Sequence, residues 1–251
     1  MEPQELREFL QWEPDFPDAV LDKGLLYAGT KAIIYGQYKA GKSPLVQRLA
    51  LHLSRGQSWL GFKVPPEGVS VFYLQLEIPA PLFQKRMNSM TNGRWLTKQP
   101  LTLWTEHYLK LDLDQGLHKL ERYLERWRPQ VLIVDPIYKV LSADIAKPSA
   151  VQPFLDNMDK LLDKFSGMSI VLTHHSRKPA IDEKEDKWGS DDMLGAILFS
   201  AWADSIIKVE RRDRQLKLRF EVIRHAEEDI QPVTVTLEQL FSYEHELLEV
   251  P

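Results

Sequence analysis

The 251-residue chain contains no cysteine. That excludes a disulfide framework and any zinc site built on thiolates, and it fits a reducing compartment, with the cytoplasm as the expectation. The chain also lacks an excess of basic charge. Its 32 Lys and Arg face 36 Asp and Glu, a formal charge of −4, and the isoelectric point is near 6.0. The basic surplus common among nucleic-acid binders is therefore missing, and contact with nucleic acid would need a local patch. Long apolar runs are absent too: the longest, Met193 to Ile207, is interrupted by Asp204, so no membrane span is expected. Met1 to Leu6 is acidic and lacks the basic-then-apolar order of a secretion signal. No repeat, linker or low-complexity tract stands out. What is present is the composition of a soluble globular protein, 43% hydrophobic and 27% charged, which rules out disorder and collagen-like repeats.

Four short apolar runs end abruptly in glycine or a polar residue. Lys31 to Tyr35 runs into Gly36, Val69 to Leu76 into Glu77, Val131 to Val134 into Asp135, and Ser169 to Thr173 into His174. Runs of that length without alternation are the pattern of strands buried on both faces. Between them lie helical patterns. Pro44 to Ser54 is amphipathic with Gly56 as its stop, Asp114 to Trp127 spaces Leu117, Leu120 and Leu124 on one side, and Ala150 to Phe165 does the same with Phe154, Met158, Leu161 and Leu162. Alternating strands and helices predict a parallel α/β sheet covered on both faces, with ligands at the carboxyl ends of its strands. Ser205 to Glu210, Gln215 to Ile223 and Pro232 to Leu237 read instead as antiparallel strands added at one edge. Two long loops, Thr91 to Pro100 and Ser176 to Asp192, complete the outline.

The chemistry is concentrated where these strands end. Gly36-Gln37-Tyr38-Lys39-Ala40-Gly41-Lys42-Ser43 matches G-x-x-x-x-G-K-[ST] and sits between a predicted strand and a predicted helix, the context this phosphate-binding loop requires. In such a loop backbone N–H groups wrap phosphates at a helix N-terminus, the Lys42 ammonium neutralises the β- and γ-phosphates, and the Ser43 hydroxyl ligates Mg²⁺. Pro44 is compatible, because the first helical turn has no partner for the N–H that proline lacks. Asp135 stands where a carboxylate would hold Mg²⁺ through its water shell, although an Asp before Pro136 also suits a turn or cap. Glu77 is placed to orient and deprotonate an attacking water, or to cap the helix after Pro79. Of His174 and His175, one can reach a terminal phosphate. Neighbours on an extended chain point to opposite sides, so the pair does not form a zinc site, and the other suits the core.

These motifs, in this order, resemble the RecA-like ATPase superfamily, in particular the single-domain AAA-type ATPases related to plasmid hexameric replicative helicases and to the DnaB and KaiC cores. The resemblance runs from about Leu25 to Leu237 through Leu25 to Thr30, Gly36 to Ser43, Tyr73 to Glu77, Val131 to Pro136, Leu172 to Lys178, and Gly195 with Ala201 to Asp204. It implies a three-layer αβα sandwich with a mainly parallel sheet. It also implies ATP and Mg²⁺ as cofactors, with Gly36 to Pro44 as the nucleotide loop, Glu77 as catalytic glutamate and His175 as phosphate sensor. In helicase members a late-strand Lys-x-Arg reaches the ATP of a neighbouring subunit. Here that place reads Val222-Ile223-Arg224, so Arg224 matches and the lysine does not; Arg224 is either that trans-acting finger or a surface strand residue.

Three segments are expected: residues 1–24 as an N-terminal, subunit-contacting piece, 25–240 as the ATPase core, and 241–251 as a tail. The expected activity is ATP hydrolysis by a homo-oligomer, a hexameric ring, associated with single-stranded DNA as a motor of a replicon, phage or mobile element. The alternative is a regulatory ATPase whose nucleotide state switches assembly. The loop that relatives use on DNA argues for the alternative. Between Ser176 and Met193 it carries Arg177, Lys178, Lys184 and Lys187 against Asp182, Glu183, Glu185, Asp186, Asp191 and Asp192, an acidic balance that binds phosphates poorly. Trp188 there would stack on a base or anchor the loop. Lys208, Arg211, Arg212, Arg214, Lys217 and Arg219 form a possible basic patch, or a guard on an edge strand.

Overall fold

Side chains alternate between the two faces of a strand, and here both faces are buried. The computed structural model describes residues 3–94, 97–176, 193 and 196–241. A short helix α1 (Leu6–Gln11) precedes a hairpin of β1 (Ala19–Leu21) and β2 (Leu26–Tyr27). Then come β3 (Lys31–Gly36), α2 (Lys42–Arg55), β4 (Val71–Gln75), α3 (Ala80–Thr91), β5 (Leu101–Thr105), α4 (Asp114–Trp127) and β6 (Val131–Asp135). A 3-10 turn (Ile137–Lys139) leads to α5 (Pro148–Lys164), β7 (Ser169–His175), α6 (Ala196–Trp202), β8 (Ser205–Arg212), β9 (Gln215–Ile223), β10 (Val233–Thr236) and α7 (Leu237–Phe241).

Eight strands form the main sheet in the order β10-β9-β8-β3-β7-β6-β4-β5. From β8 to β5 all neighbours are parallel, while β9 runs antiparallel to β8 and β10. One face presents Ile34, Tyr73, Ile133 and Val171 to α2 and α3 through Leu45, Leu49, Phe83 and Met87. The other presents Ile33, Phe72, Leu132 and Leu172 to α4, α5 and α6 through Leu120, Leu124, Phe154, Met158 and Phe199. Each such buried side chain contributes about 1.5–3 kcal/mol relative to exposure, so the two layers hold the sheet between them. This is the three-layer arrangement the sequence predicts.

Some expectations need correction. Val20 and Leu21 of β1 join the α2-side core, whereas α1 buries nothing. β5 escaped the pattern because it is the outer strand, with residues partly buried or, at Leu103, exposed. The strand expected from Pro232 to Leu237 stops at Thr236, where α7 starts. β10 pairs with Gln215 to Leu218 of β9, so Lys217 does not lie on an edge strand, whereas Arg219 lies beyond the paired stretch.

At the amino edge of the parallel strands, Trp202-Ala203-Asp204 is a structural staple. Asp204 Oδ2 accepts the Lys31 N–H at 2.9 Å, joining the start of β3 to that of β8. The Trp202 indole N–H donates to Asp159 on α5 at 2.8 Å, and the Lys31 ammonium lies 3.5 Å from the same carboxylate. Asp204→Ala leaves the Lys31 N–H without its acceptor and is expected to lower unfolding stability by about 1–3 kcal/mol, measured by urea denaturation; a change within a few tenths would contradict this role.

Candidate active site

The site is built where β3 turns into α2. A Cβ at Gly36 would come 2.2 Å from the Val209 carbonyl oxygen, so only glycine lets β8 run beside the end of β3. Gly41 has φ +94° and a Cβ there would meet the Leu216 side chain at 2.7 Å. Between them Lys39 also takes a left-handed conformation, φ 61°, at a cost of about 1–2 kcal/mol for a residue with a Cβ. The Ala40 N–H closes the turn on the Gln37 carbonyl at 3.1 Å. α2 then starts at Lys42 with no side-chain cap. Its first N–H groups have no intrahelical acceptor, and Pro44 in that turn disturbs no bond.

Lys42 is buried, and its ammonium donates to the carbonyls of Gly36 at 2.9 Å and Gln37 at 2.8 Å. Burial pulls its pKa down to about 8, against the attraction of Asp135 and Glu77. The same nitrogen lies 3.2 Å from His175 Nδ1. Burial first, and Lys42 second, bring His175 down to about 4, so its ring is neutral at neutral pH. With Nδ1 accepting from Lys42, the ring proton resides on Nε2. His174 faces the other way. Its Nδ1 accepts the His175 backbone N–H, and its ring meets Phe199 edge-on at 4.6 Å, as alternation along the strand predicts.

Asp135 is the most enclosed charge of the site. Ser43 Oγ donates to its Oδ1 at 3.0 Å, Thr173 donates to the same oxygen, and the Tyr73 hydroxyl donates to Oδ2. Tyr73, Asp135 and Thr173 share the α2 face because each lies an even number of positions from a residue facing α2 on its own strand. Burial raises the Asp135 pKa while the three hydroxyls oppose the rise; burial and Asp135 hold the Tyr73 phenol protonated, well above its usual range. No group of three or more His, Cys, Asp or Glu suited to a metal occurs among the described residues. One hydroxyl and one carboxylate, both hard oxygen donors, match instead the way Mg²⁺ binds through few protein ligands with phosphate oxygens and water.

Glu77 leaves the end of β4 on a pinned turn. Gln75 Oε1 accepts the backbone N–H groups of Glu77 and Ile78, and its Nε2 donates to the Ile78 carbonyl. The Glu77 carboxylate accepts the Tyr138 hydroxyl at 2.9 Å. Loop, Glu77, Asp135, Thr173 and His175 line one open cleft of about 460 Å³, joined by Gln47, Arg86 and Arg211, a size common for small-molecule sites. Arg211 also donates to the Lys39 carbonyl at 3.2 Å, tying β8 to the loop.

Arg224 is not brought to this cleft. It follows β9 at the opposite edge of the sheet, beside the start of β8, and its guanidinium donates to the Ala201 carbonyl at 2.6 Å, closing the end of α6. The acidic segment that corresponds to the relatives' DNA loop, with Arg177, Lys178 and Trp188, lies outside the described residues apart from its ends, as does Gly195. Several residues of the basic patch carry acidic partners: Glu210 takes Lys208 at 3.6 Å and Arg219 at 3.1 Å, and Glu238 takes Arg214 at 3.1 Å. Sequence reasoning missed Tyr73, Gln75, Tyr138 and Thr173. Strand parity with Asp135 was a usable signal for Tyr73 and Thr173; nothing local marks Tyr138.

A family model described as an AAA domain matches residues 2–180. No curated protein matches the chain in sequence. Among solved structures it is similar to the flagellar accessory protein FlaH of Methanocaldococcus jannaschii, at 17% identity and a TM-score of 0.56, covering 84% of this chain and 86% of that one. The shared architecture is the RecA-like α/β fold.

Because the free site holds Lys42 near pKa 8 and a bound polyanion favours the ammonium, binding takes up a proton wherever Lys42 starts neutral. Proton uptake on nucleotide binding is expected to rise, and affinity to fall, as pH increases through that value. Calorimetry in buffers of different ionisation enthalpy measures it; uptake that stays flat across that range would contradict the assignment.

Proposed function

The chain belongs to the AAA domain family and is a RecA-like P-loop ATPase, and from that premise we propose that it hydrolyses Mg–ATP in the cleft at the carboxyl ends of β3, β4, β6 and β7. The observation that carries this reading is the convergence of Lys42, Ser43, Asp135, Glu77 and His175 on one cleft. The loop N–H groups and Lys42 hold the phosphates, and Arg86 and Arg211 add positive charge along the same wall. Ser43 directly, and Asp135 through water, would hold Mg²⁺, which would supply positive charge to offset that of the phosphates. Glu77 orients a water and accepts its proton as the oxygen bonds to the γ-phosphorus. The bond from that phosphorus to the β–γ bridging oxygen breaks, leaving ADP and inorganic phosphate. His175 donates its Nε2–H to the γ-phosphate and loses that acceptor when phosphate departs.

We further propose a homo-oligomer, a hexameric ring, in which Arg224 serves a neighbouring subunit. Its position at the edge opposite its own cleft supports this, because transition-state charge from Arg224 can only reach another chain's nucleotide. Single-stranded DNA as a track follows from the resemblance to replicative helicases. A regulatory switch is the second reading, favoured by the pairing of Lys208 and Arg219 with Glu210.

Glu77→Gln is expected to keep ATP binding and lose about 10²–10⁴ in turnover, while Lys42→Ala loses tight binding; full turnover by Glu77→Gln would remove Glu77 from the mechanism. Hydrolysis per chain should rise with protein concentration and collapse in Arg224→Ala, followed by phosphate release alongside light scattering. Concentration-independent turnover would contradict a shared site. Stimulation by single-stranded DNA supports the motor, and indifference to it supports the switch.

A further inference from the structure

We infer that Tyr138 is a positioning residue for hydrolysis: its hydroxyl aims the Glu77 carboxylate at the phosphates, and its ring braces His175 in the same act. The inference rests on Glu77 as the general base. Gln75 fixes the backbone at Glu77 and Ile78 but leaves the Glu77 side chain, which is exposed, free to turn into water. A carboxylate on a mobile stem spends little time in the one orientation that receives a proton. Among the described residues, the Tyr138 hydroxyl is the one hydrogen-bond donor to it, at 2.9 Å on Oε1, and this leaves Oε2 to accept from a water.

Tyr138 is itself well anchored. It sits in the 3-10 turn directly after β6, between Ile137, which is fully buried, and the turn-closing bonds from Lys139 N–H to the Pro136 carbonyl and from Val140 N–H to the Ile137 carbonyl. Glu77 and His175 line the cleft, and Tyr138 reaches both of them from this turn. Its ring centroid lies 5.1 Å from that of His175 at 57°. Base and phosphate sensor therefore lean on one side chain. Burial and the neighbouring Glu77 carboxylate also raise the phenol's pKa, so it stays a donor throughout the working pH range.

Tyr138→Phe removes the hydroxyl and keeps the ring. The expected result is a fall in kcat of about tenfold with KM for ATP, nucleotide Kd and thermal midpoint unchanged within error. In a Glu77→Gln background the same change should have no further effect, because Tyr138 acts through Glu77. An unchanged kcat in Tyr138→Phe beside an inactive Glu77→Gln overturns this proposal alone. So does a loss that multiplies with that of Glu77→Gln, or one that appears in KM and the thermal midpoint. A Glu77→Gln protein that turns over normally overturns the general-base reading, and this proposal falls with it.

Discussion

A carboxylate removed from water at the end of β6 constrains everything around it. An ionised Asp135 with 2% exposure would cost several kcal/mol without partners, and it obtains them from three separate elements. Ser43 comes from α2, Thr173 from β7 and Tyr73 from β4. Each hydroxyl must therefore arrive at one point, which sets the height of α2 over the sheet and the relative heights of three strands. The registers agree: Gln75 lies beside Asp135, and Gly36 beside His175. The carboxyl ends of the parallel strands thus form one rim, and the phosphate loop lies along it.

The loop meets a second requirement, that of bringing backbone close to a polyanion. Gly36 is glycine because the Val209 carbonyl leaves no room for a Cβ, and Gly41 because its φ of +94° is a left-handed conformation, taken up against the Leu216 side chain. Both neighbours belong to the antiparallel hairpin β8–β9, so the strands added at the C-terminal side are more than an extension of the sheet; they form the outer wall of the loop. Lys42 completes the arrangement by donating to two loop carbonyls. A cation buried among carbonyls and a carboxylate buried among hydroxyls thus stand on the same rim, joined by the bond from Ser43, next to Lys42 in the chain, to Asp135, which is the arrangement the proposed Mg-nucleotide reading uses.

Much of this was legible in the sequence, and the reason is local. Buried parallel strands read as unbroken apolar runs, so β3, β4, β6 and β7 were visible and the residue ending each run was marked as functional: Gly36, Glu77, Asp135 and the His174–His175 pair. The phosphate loop carried its own signature. Long-range information was harder to reach. β5 lies at the sheet's outer edge with mixed burial, and α1 buries nothing, so neither imposes a pattern. The role of Tyr138 depends on a meeting with Glu77 across 61 positions of sequence, and no spacing rule predicts it. The pairing of Lys208 and Arg219 with Glu210, and of Arg214 with Glu238, was likewise out of reach of any local pattern. Arg224 was singled out by its place near a late strand, and the fold sets it at the far edge, on the carbonyl of Ala201.

The central claim is that Ser43 and Asp135 together form the metal side of a Mg-nucleotide site. The most direct measurement is the affinity for ATP as a function of Mg²⁺ concentration, by calorimetry, for the natural protein and for Asp135→Asn, which keeps the shape and removes the charge. The account predicts that Mg²⁺ tightens ATP binding to the natural protein and that this dependence is lost in a folded Asp135→Asn. An equal dependence on Mg²⁺ in both would contradict it.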